Sequence, residues 1–465
     1  MAQFQKDVKL GILIFLKIIG RKWKKILGTV FVFLLFILLV LLAKPAKTTS
    51  ISEGILGTYQ THDLPESVTH LLSKSLVLPD QSGRMTGNLA EGWDTNNDAT
   101  VYKFKLKGNL FWSDGSRIKS SDVEFAIPDV EVSYPDDQTI QFKLKGAFSA
   151  FPSLLTKPVF KKGTLVGVGP YKVERLEKSR IFITKLVLKK ANLSLNTIPE
   201  VVIRFYPNEK TAQLAFELGE VQSLIGINTA AAFSDSNLSK FRRKTNYQKI
   251  VTILYNVKDP ALSNRSMRQT LSYSTPEIEG EILAKTPVQP SSWAYTDNVN
   301  DYLENPEAAK AALKRAGNAS SSEILKKEIT LTTTPQLENA GRQIVASWNK
   351  SGIKAVLRIE SGIPQNFQAL LISQSIPVDP DQYSLWHSTQ EKTNLTGYSS
   401  ARVDKDLEDG RKLLKEEDRK TKYVDFQKQL LEDSPATFLY FPKINIIYLS
   451  KIENHLNEIL SIQLP

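Results

Sequence analysis

The chain has 465 residues, with 60 Lys and Arg, 49 Asp and Glu, and no cysteine. This length predicts more than one lobe, and the lack of cysteine excludes disulfides, thiolate zinc sites, a cysteine nucleophile and a lipid-modified cysteine anchor. The formal net charge of +11 would suggest nucleic acid or anionic lipid as a partner. Residues 1–47, however, hold nine basic residues and one acidic residue. The rest of the chain is therefore nearly neutral and gives no reason to expect nucleic acid.

An apolar segment, residues 26–43, has no charged residue. At about 1.5 Å per residue, its eighteen residues can cross a hydrocarbon core of roughly 30 Å as a transmembrane helix. A basic cluster at 21–25 precedes it, so the positive-inside rule places residues 1–25 in the cytoplasm and the bulk of the chain, after a tether at 44–50, outside the cell membrane. A cleaved signal peptide is the alternative, although the apolar run is long and no clear cleavage site follows it. Residues 10–19 are interpreted as a cytoplasmic extension of the anchor rather than an interfacial helix.

The rest of the chain mixes strand and helix patterns. Val101–Leu106 and Thr139–Leu144 alternate apolar and polar residues, as half-buried strands do, and Tyr134–Asp137 has turn chemistry. Asn305–Gly317 predicts a helix, with Asn305 as its cap, proline in its first position and a glycine to close it.

The C-terminal third continues this mixture. Ala340–Asn349 is predicted to be a helix and Ile353–Ile359 a strand. Val403–Leu431 shows helical apolar spacing, and the short apolar run Phe438–Phe441 is predicted to be a strand. The interleaving of the two kinds of element indicates an α/β or α+β protein.

No motif of a known enzyme class is present. The four histidines lack the spacing of metal ligands, and no HExxH, GxSxG or phosphate-cradling loop occurs. Asp379 and Asp381 could serve acid–base chemistry, although a turn with solvated carboxylates is the plainer interpretation of Asp-Pro-Asp. The sequence therefore predicts a binding protein, not an enzyme, with neither a metal nor a cofactor.

Several short segments occur in one order over roughly residues 52–442. The most characteristic are Leu89–Trp93, Tyr102–Lys107, Phe111–Gly115, Ser120–Val123, Gly167–Val173, Ala212–Val221, Tyr255–Asn256, Met267–Leu271 and Asn305–Gly317. Together they resemble the extracellular solute-binding proteins of oligopeptide, dipeptide and nickel ABC importers, family 5. In place of that family's lipidated cysteine, this chain has the apolar segment 26–43.

The resemblance implies a two-lobed, hinged α/β fold of the periplasmic-binding-protein type (type II, peptide-binding class). Lobe one would comprise residues 51–254 with a return at 440–465, and lobe two residues 255–439. It further implies capture of peptides or peptide-like solutes between the lobes for a membrane-embedded ABC permease. The alternative is an envelope structural or regulatory protein that kept the fold without ligand capture.

Two departures from the family pattern motivate that alternative. Ile127–Asp129 leads almost directly into the next strand, where relatives have a long helical excursion, so lobe one should have a reduced subdomain and a more open cleft. Peptide-binding members often carry a carboxylate and an aromatic residue just upstream of the Asp-Pro-Asp position, which hold the ligand's amino terminus. Gln374–Pro377 provides neither here, which leaves Asp379 or Asp381 as the nearest anions.

Eight residues are the candidates for ligand contact: Tyr59, Thr61, Trp293, Asp379, Asp381, Trp386, Asn394 and Tyr398. Tyr59 and Thr61 follow the first predicted strand, Gly54–Thr58, where the family's cleft begins. Trp293 lies among turn residues, and aromatic side chains in such places often line pockets. Trp386 could equally be a core residue, and Asn394 and Tyr398 could instead stabilise a turn. Trp93, Trp112, Trp348 and Phe104 are expected in the core.

Overall fold

The computed structural model describes residues 50–192, 198–228, 238–319 and 327–463. The predicted membrane segment 26–43 lies outside these residues. Across the described ranges, no helix has both the length and the apolar character that crossing a bilayer requires.

The strands are numbered in chain order. Their bounds are β1 Ser50–Leu56, β2 Val77–Pro79, β3 Met85–Gly87, β4 Ala90–Thr95, β5 Val101–Leu106, β6 Val130–Asp136, β7 Thr139–Leu144, β8 Tyr171–Ser179, β9 Phe182–Lys190, β10 Glu200–Tyr206, β11 Ser223–Ile225, β12 Ser239–Thr245, β13 Lys249–Tyr255, β14 Ile282–Leu283, β15 Ile329–Thr333, β16 Ala355–Ile359, β17 Ala369–Ser375, β18 Ala436–Phe441 and β19 Lys443–Leu449.

The α-helices are numbered likewise. Their bounds are α1 Glu66–Leu72, α2 Glu209–Glu217, α3 Arg265–Tyr273, α4 Pro306–Ala319, α5 Glu338–Lys350, α6 Tyr383–Trp386, α7 Ala401–Lys412, α8 Glu416–Asp433 and α9 Glu453–Gln463.

Lobe one is built on a seven-stranded sheet with the order β12-β19-β11-β1-β10-β9-β8. The central strands β1 and β11 run parallel, with Gly54 opposite Leu224. Apolar residues of this sheet and of helices α1 and α9 form one buried cluster, which includes Ile51, Leu71 and Leu456. Burial of these apolar side chains attaches both helices to the sheet.

Lobe two is built on a six-stranded sheet with the order β14-β18-β13-β17-β15-β16. Every residue of β18 is buried, as expected for an inner strand covered on both faces. One cluster, with Phe426 and Trp386, packs on one side, and a second cluster, with Trp348 and Leu331, packs on the other. Lobe two therefore has a separate core on each face of its sheet.

Two short connections join the lobes. The chain leaves the first sheet after β12 and enters the second at β13, through residues 246–248, and it returns between β18 and β19 through Pro442. The Asn246 N–H donates a 2.8 Å hydrogen bond to the Pro442 carbonyl, so the two connections lie side by side. The segment 249–254, placed in lobe one by the sequence analysis, instead pairs with β17 and β18 of the second sheet.

A third structural unit, called here the small-sheet unit, comprises residues 75–169. It contains the hairpin β2-β3 and the four-stranded sheet β4-β5-β7-β6, around a core that includes Phe104 and Trp112. Between β5 and β8, all within described residues, the only helices are the short 3₁₀ turns Ser120–Asp122 and Phe151–Leu155. That this subdomain is reduced relative to other members of the family stays a prediction.

The small-sheet unit is closely attached to lobe one at the end of α1. The Gly169 N–H donates a 2.8 Å hydrogen bond to the Leu72 carbonyl, and the Val159 N–H donates a 2.9 Å bond to the Lys74 carbonyl. A Cβ added at Gly167 would lie 2.2 Å from the Leu72 oxygen, and one at Gly169 would lie 2.4 Å from the Leu72 carbonyl carbon. The two glycines of the Gly-Val-Gly-Pro-Tyr segment therefore permit this close backbone approach.

Most of the predicted helices and strands are confirmed, although some of them begin or end at other residues than predicted. The strands at 101–106 and 139–144 have the predicted bounds, and the Asn305 side chain caps its helix by accepting from the Ala308 N–H at 3.0 Å. That helix continues past Gly317 to Ala319, because one helical glycine costs only about 1 kcal/mol, which packing can override.

Other local predictions need correction. The first strand is Ser50–Leu56 rather than 54–58, and the helical stretch 403–431 is two helices separated near Leu413. Tyr134 and Pro135 belong to strand β6 rather than to a turn. Because β6 is an edge strand, a proline that lacks an N–H donor is tolerated there.

Candidate functional site

A cleft of ≈ 2190 Å³ lies between the lobes, and residues of lobe one, the small-sheet unit, the connections and lobe two line it. Its floor is formed at the carboxyl ends of the parallel strands β1 and β11, by Ile55 and Ile225. Ligands of open α/β sheets bind at this edge, because the loops that follow the strands converge there. The cleft is therefore the candidate ligand-binding site.

The lobe-one wall of the cleft carries Tyr59 together with the helix α1. The Tyr59 hydroxyl donates a 2.8 Å hydrogen bond to the Leu56 carbonyl, and its ring lies 5.2 Å from that of Phe205. Burial raises the pKa of the Tyr59 hydroxyl, and the nearby Asp63 adds to this effect. His70 of α1 also lines the cleft. This wall thus presents a fixed, neutral aromatic ring.

The lobe-two wall is formed by residues that follow the carboxyl end of β17. Ser375, Ile376, Pro377 and Val378 line the cleft, with Gln289 and Ser291 beside them. Of the described residues of lobe two that line the cleft, Lys249 is the only charged one. The segment predicted to correspond to the family's amine clamp therefore faces the cleft without a carboxylate.

The connections between the lobes supply a polar rim. Lys244, Tyr247, Gln248 and Lys249 line this end of the cleft, and all four are exposed. Partial burial lowers the pKa of the Lys244 ammonium, since desolvation disfavours the charged form. Two lysines, Lys244 at the end of β12 and Lys249 at the start of β13, thus give this end of the cleft positive charge.

The small-sheet unit contributes exposed apolar side chains, which we call the apolar shelf: Leu78, Phe111 and Leu154. Phe111 is 54% exposed and Leu154 is 47% exposed, although both belong to a unit with a well-formed core. Large apolar side chains exposed in a concave site are typical of ligand-binding surfaces. The shelf could accept an apolar ligand group.

The sequence analysis proposed Asp379 and Asp381 as ligand anions, and the structure places both in ion pairs. Asp379 accepts a 2.7 Å bond from Arg419 Nη2 and a 3.0 Å bond from the Asp381 N–H. Asp381 accepts a 2.8 Å bond from Arg411 Nε. Burial raises the pKa of the Asp381 carboxyl, against the opposing effect of Arg411. Neither aspartate is among the residues that line the cleft.

Trp293, Trp386, Asn394 and Tyr398 are buried within lobe two and do not line the cleft. The Trp293 ring centroid lies 5.1 Å from the Arg419 guanidinium carbon, a cation–π contact that adds to the attraction of the Asp379 carboxylate for the same cation. The Trp386 indole N–H donates to Gln382 Oε1 at 2.8 Å.

Asn394 and Tyr398 organise the loop that precedes α7. Asn394 Nδ2 donates a 2.8 Å bond to the Tyr398 carbonyl, and the Tyr398 hydroxyl donates a 2.6 Å bond to Asp433 Oδ2. Thr61 is half-buried in a turn and is likewise not among the residues that line the cleft. Of the eight candidates only Tyr59 lines the cleft, and ligand contact by any of them stays a prediction.

The sequence analysis did not single out Lys249, Gln289, Ser291, Phe111 or Leu154. The exposure of Phe111 could have been predicted from the sequence. It precedes Trp112, which was expected in the core, and neighbouring side chains in an extended segment point in opposite directions. The position of Lys249 in the cleft could not have been predicted from the sequence, since it depends on how the chain passes from β12 in lobe one to β13 in lobe two. In the described part of the chain, no group of three His, Asp or Glu side chains is arranged to hold a metal ion.

The sequence matches the model of the bacterial extracellular solute-binding proteins, family 5, over residues 84–396. It is 24% identical to the dipeptide-binding protein of Escherichia coli (strain K12) in an alignment 393 positions long that covers 64% of this chain and 72% of that protein. It is 23% identical to the oligopeptide-binding protein AppA of Bacillus subtilis (strain 168) in an alignment 478 positions long that covers 85% of this chain and 86% of that protein.

Solved structures have the same fold. NikZ from Campylobacter jejuni, in complex with Ni(L-His), gives a TM-score of 0.68 at 20% identity and covers 86% of this chain and 94% of its own. AppA from Bacillus subtilis, in complex with a nonapeptide, gives 0.65 at 20% identity with the same coverage. The match of the family model over most of the chain identifies the family. This chain belongs to the bacterial extracellular solute-binding proteins of family 5.

Proposed function

We propose that this chain is a membrane-anchored, extracytoplasmic binding protein that captures peptides or peptide-like solutes for an ABC importer. The observation that carries the proposal is the ≈ 2190 Å³ cleft between the two lobes. This volume exceeds the roughly 300–1,000 Å³ of a typical small-molecule pocket, so an extended ligand of several residues fits. The proposed role is binding without turnover.

The charges and apolar groups of the cleft suggest how such a ligand is held. Among its described residues, the lobe-two wall has no carboxylate to pair with a free amino terminus, and Lys249 is its one charged side chain. We therefore expect an anionic group of the ligand near Lys249 and an apolar group on the shelf formed by Leu78, Phe111 and Leu154. Main-chain hydrogen bonds would account for the remaining affinity without strict side-chain selection.

The first test is thermal unfolding of the full chain with pools of defined tripeptides and pentapeptides. A ligand that binds only the folded state raises the melting temperature by mass action. Ser375→Trp, which fills the lobe-two wall, should abolish this increase. Ser373→Trp is the matched control, because Ser373 is exposed on the same strand but does not line the cleft. No response to any peptide or oligosaccharide pool would contradict the proposal.

An envelope structural or regulatory role was the alternative. That role predicted a cleft filled by the chain's own side chains or too open to enclose a ligand. A cavity of ≈ 2190 Å³ with lining residues from both lobes does not favour it. Native mass spectrometry of freshly purified protein separates the two, since only a capture protein is expected to carry a copurified ligand.

The proposed membrane anchor is residues 26–43, with the N-terminus in the cytoplasm. Its support is the uncharged apolar run and the basic cluster before it. We expect the full chain to fractionate with membranes and a chain lacking residues 1–47 to be released. Recovery of the full chain in a shortened, soluble form would instead indicate a cleaved signal peptide.

A further inference from the structure

We infer that the contact between the small-sheet unit and lobe two is the contact that closes the cleft, with Arg84, Ser149 and Arg411 as its positioning residues. The aspartates Asp379 and Asp381 would then stabilise the lobe-two side of this contact rather than bind the ligand. The inference rests on the proposed function only in that closure encloses the same cleft.

Ser149 of the small-sheet unit caps a helix that belongs to lobe two. The last four carbonyls of a helix have no partner within it, and α7 ends at Lys412. The Ser149 N–H donates a 2.8 Å hydrogen bond to the Arg411 carbonyl, and its hydroxyl donates a 3.0 Å bond to the Gly410 carbonyl. One serine thus satisfies two helix-end acceptors across the contact.

The Arg411 side chain lies between aromatic rings from the two sides. Its guanidinium carbon is 4.5 Å from the centroid of Phe148, in the small-sheet unit, and 4.0 Å from that of Tyr383, in lobe two. Asp381 accepts the 2.8 Å bond from Arg411 Nε and so fixes the plane of the guanidinium. Phe148 of the small-sheet unit therefore packs on the Arg411 guanidinium, whose orientation is fixed by Asp381 and Tyr383 of lobe two.

Two further interactions join the same surfaces. Arg84 forms a bidentate ion pair with Glu416, the first residue of α8, with both N–O distances at 2.7 Å. The backbone N–H of Trp293 donates a 2.9 Å hydrogen bond to the Ser82 carbonyl. Asp80 holds the turn that presents these groups, since its Oδ1 accepts from the N–H of both Ser82 and Arg84.

These contacts differ in kind from those that join the small-sheet unit to lobe one. At α1 the backbones meet so closely that glycine is required at 167 and 169. At lobe two the contacts are one capped helix end, one backbone hydrogen bond, one stacked cation and one exposed ion pair, and water can take the place of each polar partner. We therefore expect the small-sheet unit to move with lobe one and to separate from lobe two when the cleft opens at residues 246–248 and Pro442.

The test uses pulsed electron paramagnetic resonance on the full chain, which contains no cysteine of its own. Spin labels at Lys103→Cys and Lys420→Cys report the separation of the small-sheet unit from lobe two, and labels at Lys103→Cys and Lys172→Cys report its separation from lobe one. All three lysines are exposed. Each label pair is measured without ligand in the otherwise wild-type chain and in variants of the contact.

Arg84→Glu and Ser149→Ala are each expected to raise the ratio of the long-distance to the short-distance population of the 103–420 pair roughly fivefold. The exchange Arg84→Glu with Glu416→Arg should restore the short distance. Lys354→Glu, which breaks the exposed pair with Glu328 inside lobe two, should leave the distribution unchanged. The 103–172 pair should not respond to any variant.

Two results would overturn the inference. If the 103–172 distance changes while the 103–420 distance stays fixed, the small-sheet unit moves with lobe two. If neither variant alters the 103–420 distribution, the contact does not control closure. Both outcomes are independent of ligand capture, because a melting-temperature increase with peptides can persist or fail separately from them.

Discussion

Gln463 in the last helix donates a 2.6 Å hydrogen bond from Nε2 to the carboxylate of Glu53 in the first strand. Both residues are buried, and the described part of the chain supplies no hydrogen-bond partner for Glu53 Oε2. Gln463 also lines the cleft. The carboxyl group thus lies beneath the floor of the site, between the apolar neighbours Ile51 and Ile55 on the same face of β1.

This burial predicts a specific pH dependence of stability. Desolvation raises the pKa of Glu53 from 4.5 to about 7, against the opposing hydrogen bond from Gln463. Between these two values the folded state holds a proton that the unfolded state has lost, so the free energy of unfolding falls as pH rises and levels off above about pH 7. At low pH, where the carboxyl is protonated in both states, this penalty is absent.

Glu53→Gln should remove that dependence, because the neutral amide resembles the protonated acid. We expect the variant to exceed the wild type in unfolding free energy by on the order of 3 kcal/mol at pH 8 and to match it near pH 4. Denaturant titrations of the full chain at both pH values measure the difference. Glu217→Gln, at an exposed helical position, is the control, and an equal difference at both pH values for Glu53→Gln would refute the assignment.

The Asp379–Arg419 pair should be costly to break from one side. Their side chains are 8% and 9% exposed at an N–O distance of 2.7 Å, so Arg419→Met leaves a buried carboxylate without its cation. Loss of one partner of such a pair typically costs about 3–5 kcal/mol. The double variant Asp379→Asn with Arg419→Met should recover part of this loss, as measured by denaturant unfolding.

The exposed pair Arg358–Glu360, at 46% and 37% exposure, provides the comparison. Arg358→Met should change the unfolding free energy by no more than about 1 kcal/mol. A loss for Arg419→Met as small as this would show that Asp379 gains little stability from Arg419. Asp379 would then again be a candidate anion for ligand binding.

Gly169→Ala should weaken the attachment of the small-sheet unit to lobe one. The added Cβ would lie 2.4–2.7 Å from the backbone of Leu71 and Leu72, which forces a backbone shift costing roughly 1–3 kcal/mol. Gly92→Ala is the matched control, since a Cβ there meets nothing within 4 Å. Calorimetry should show a lower melting temperature for the first variant only. Equal values would mean that the close approach is dispensable.

Lys249→Glu tests the charge of the lobe-two wall. If an anionic group of the ligand pairs with Lys249, reversal of that charge should weaken binding of the peptide pool by about tenfold or more. Isothermal titration with the full chain measures the affinity. Lys354 is exposed on lobe two, and the control variant Lys354→Glu should leave the affinity unchanged. Tighter binding of the peptide pool to Lys249→Glu would instead indicate that a cationic group of the ligand lies at this position.

The sequence contained most of the local structure. Alternation in Val101–Leu106, the cap at Asn305 and the family segments identified the class of fold, because these signals lie within a few residues of one another. Ser375 and Pro377, from the segment compared with the family's amine clamp, line the cleft without a charge, and the absence of such a clamp stays a prediction.

The tertiary structure decided the role of the charged and aromatic residues. Asp379 pairs with Arg419, forty positions away, and Trp293 packs on the same guanidinium. The partner of a buried charge depends on which distant helix packs beside it. Local sequence spacing does not predict that partner. The sequence alone thus determined the elements, the family and the near-neutral charge of the chain beyond its N-terminal segment. Only the tertiary structure, which brings α7 and α8 of lobe two beside the Asp-Pro-Asp segment, determined that Asp379 and Asp381 lie in ion pairs and that Lys249 lines the cleft.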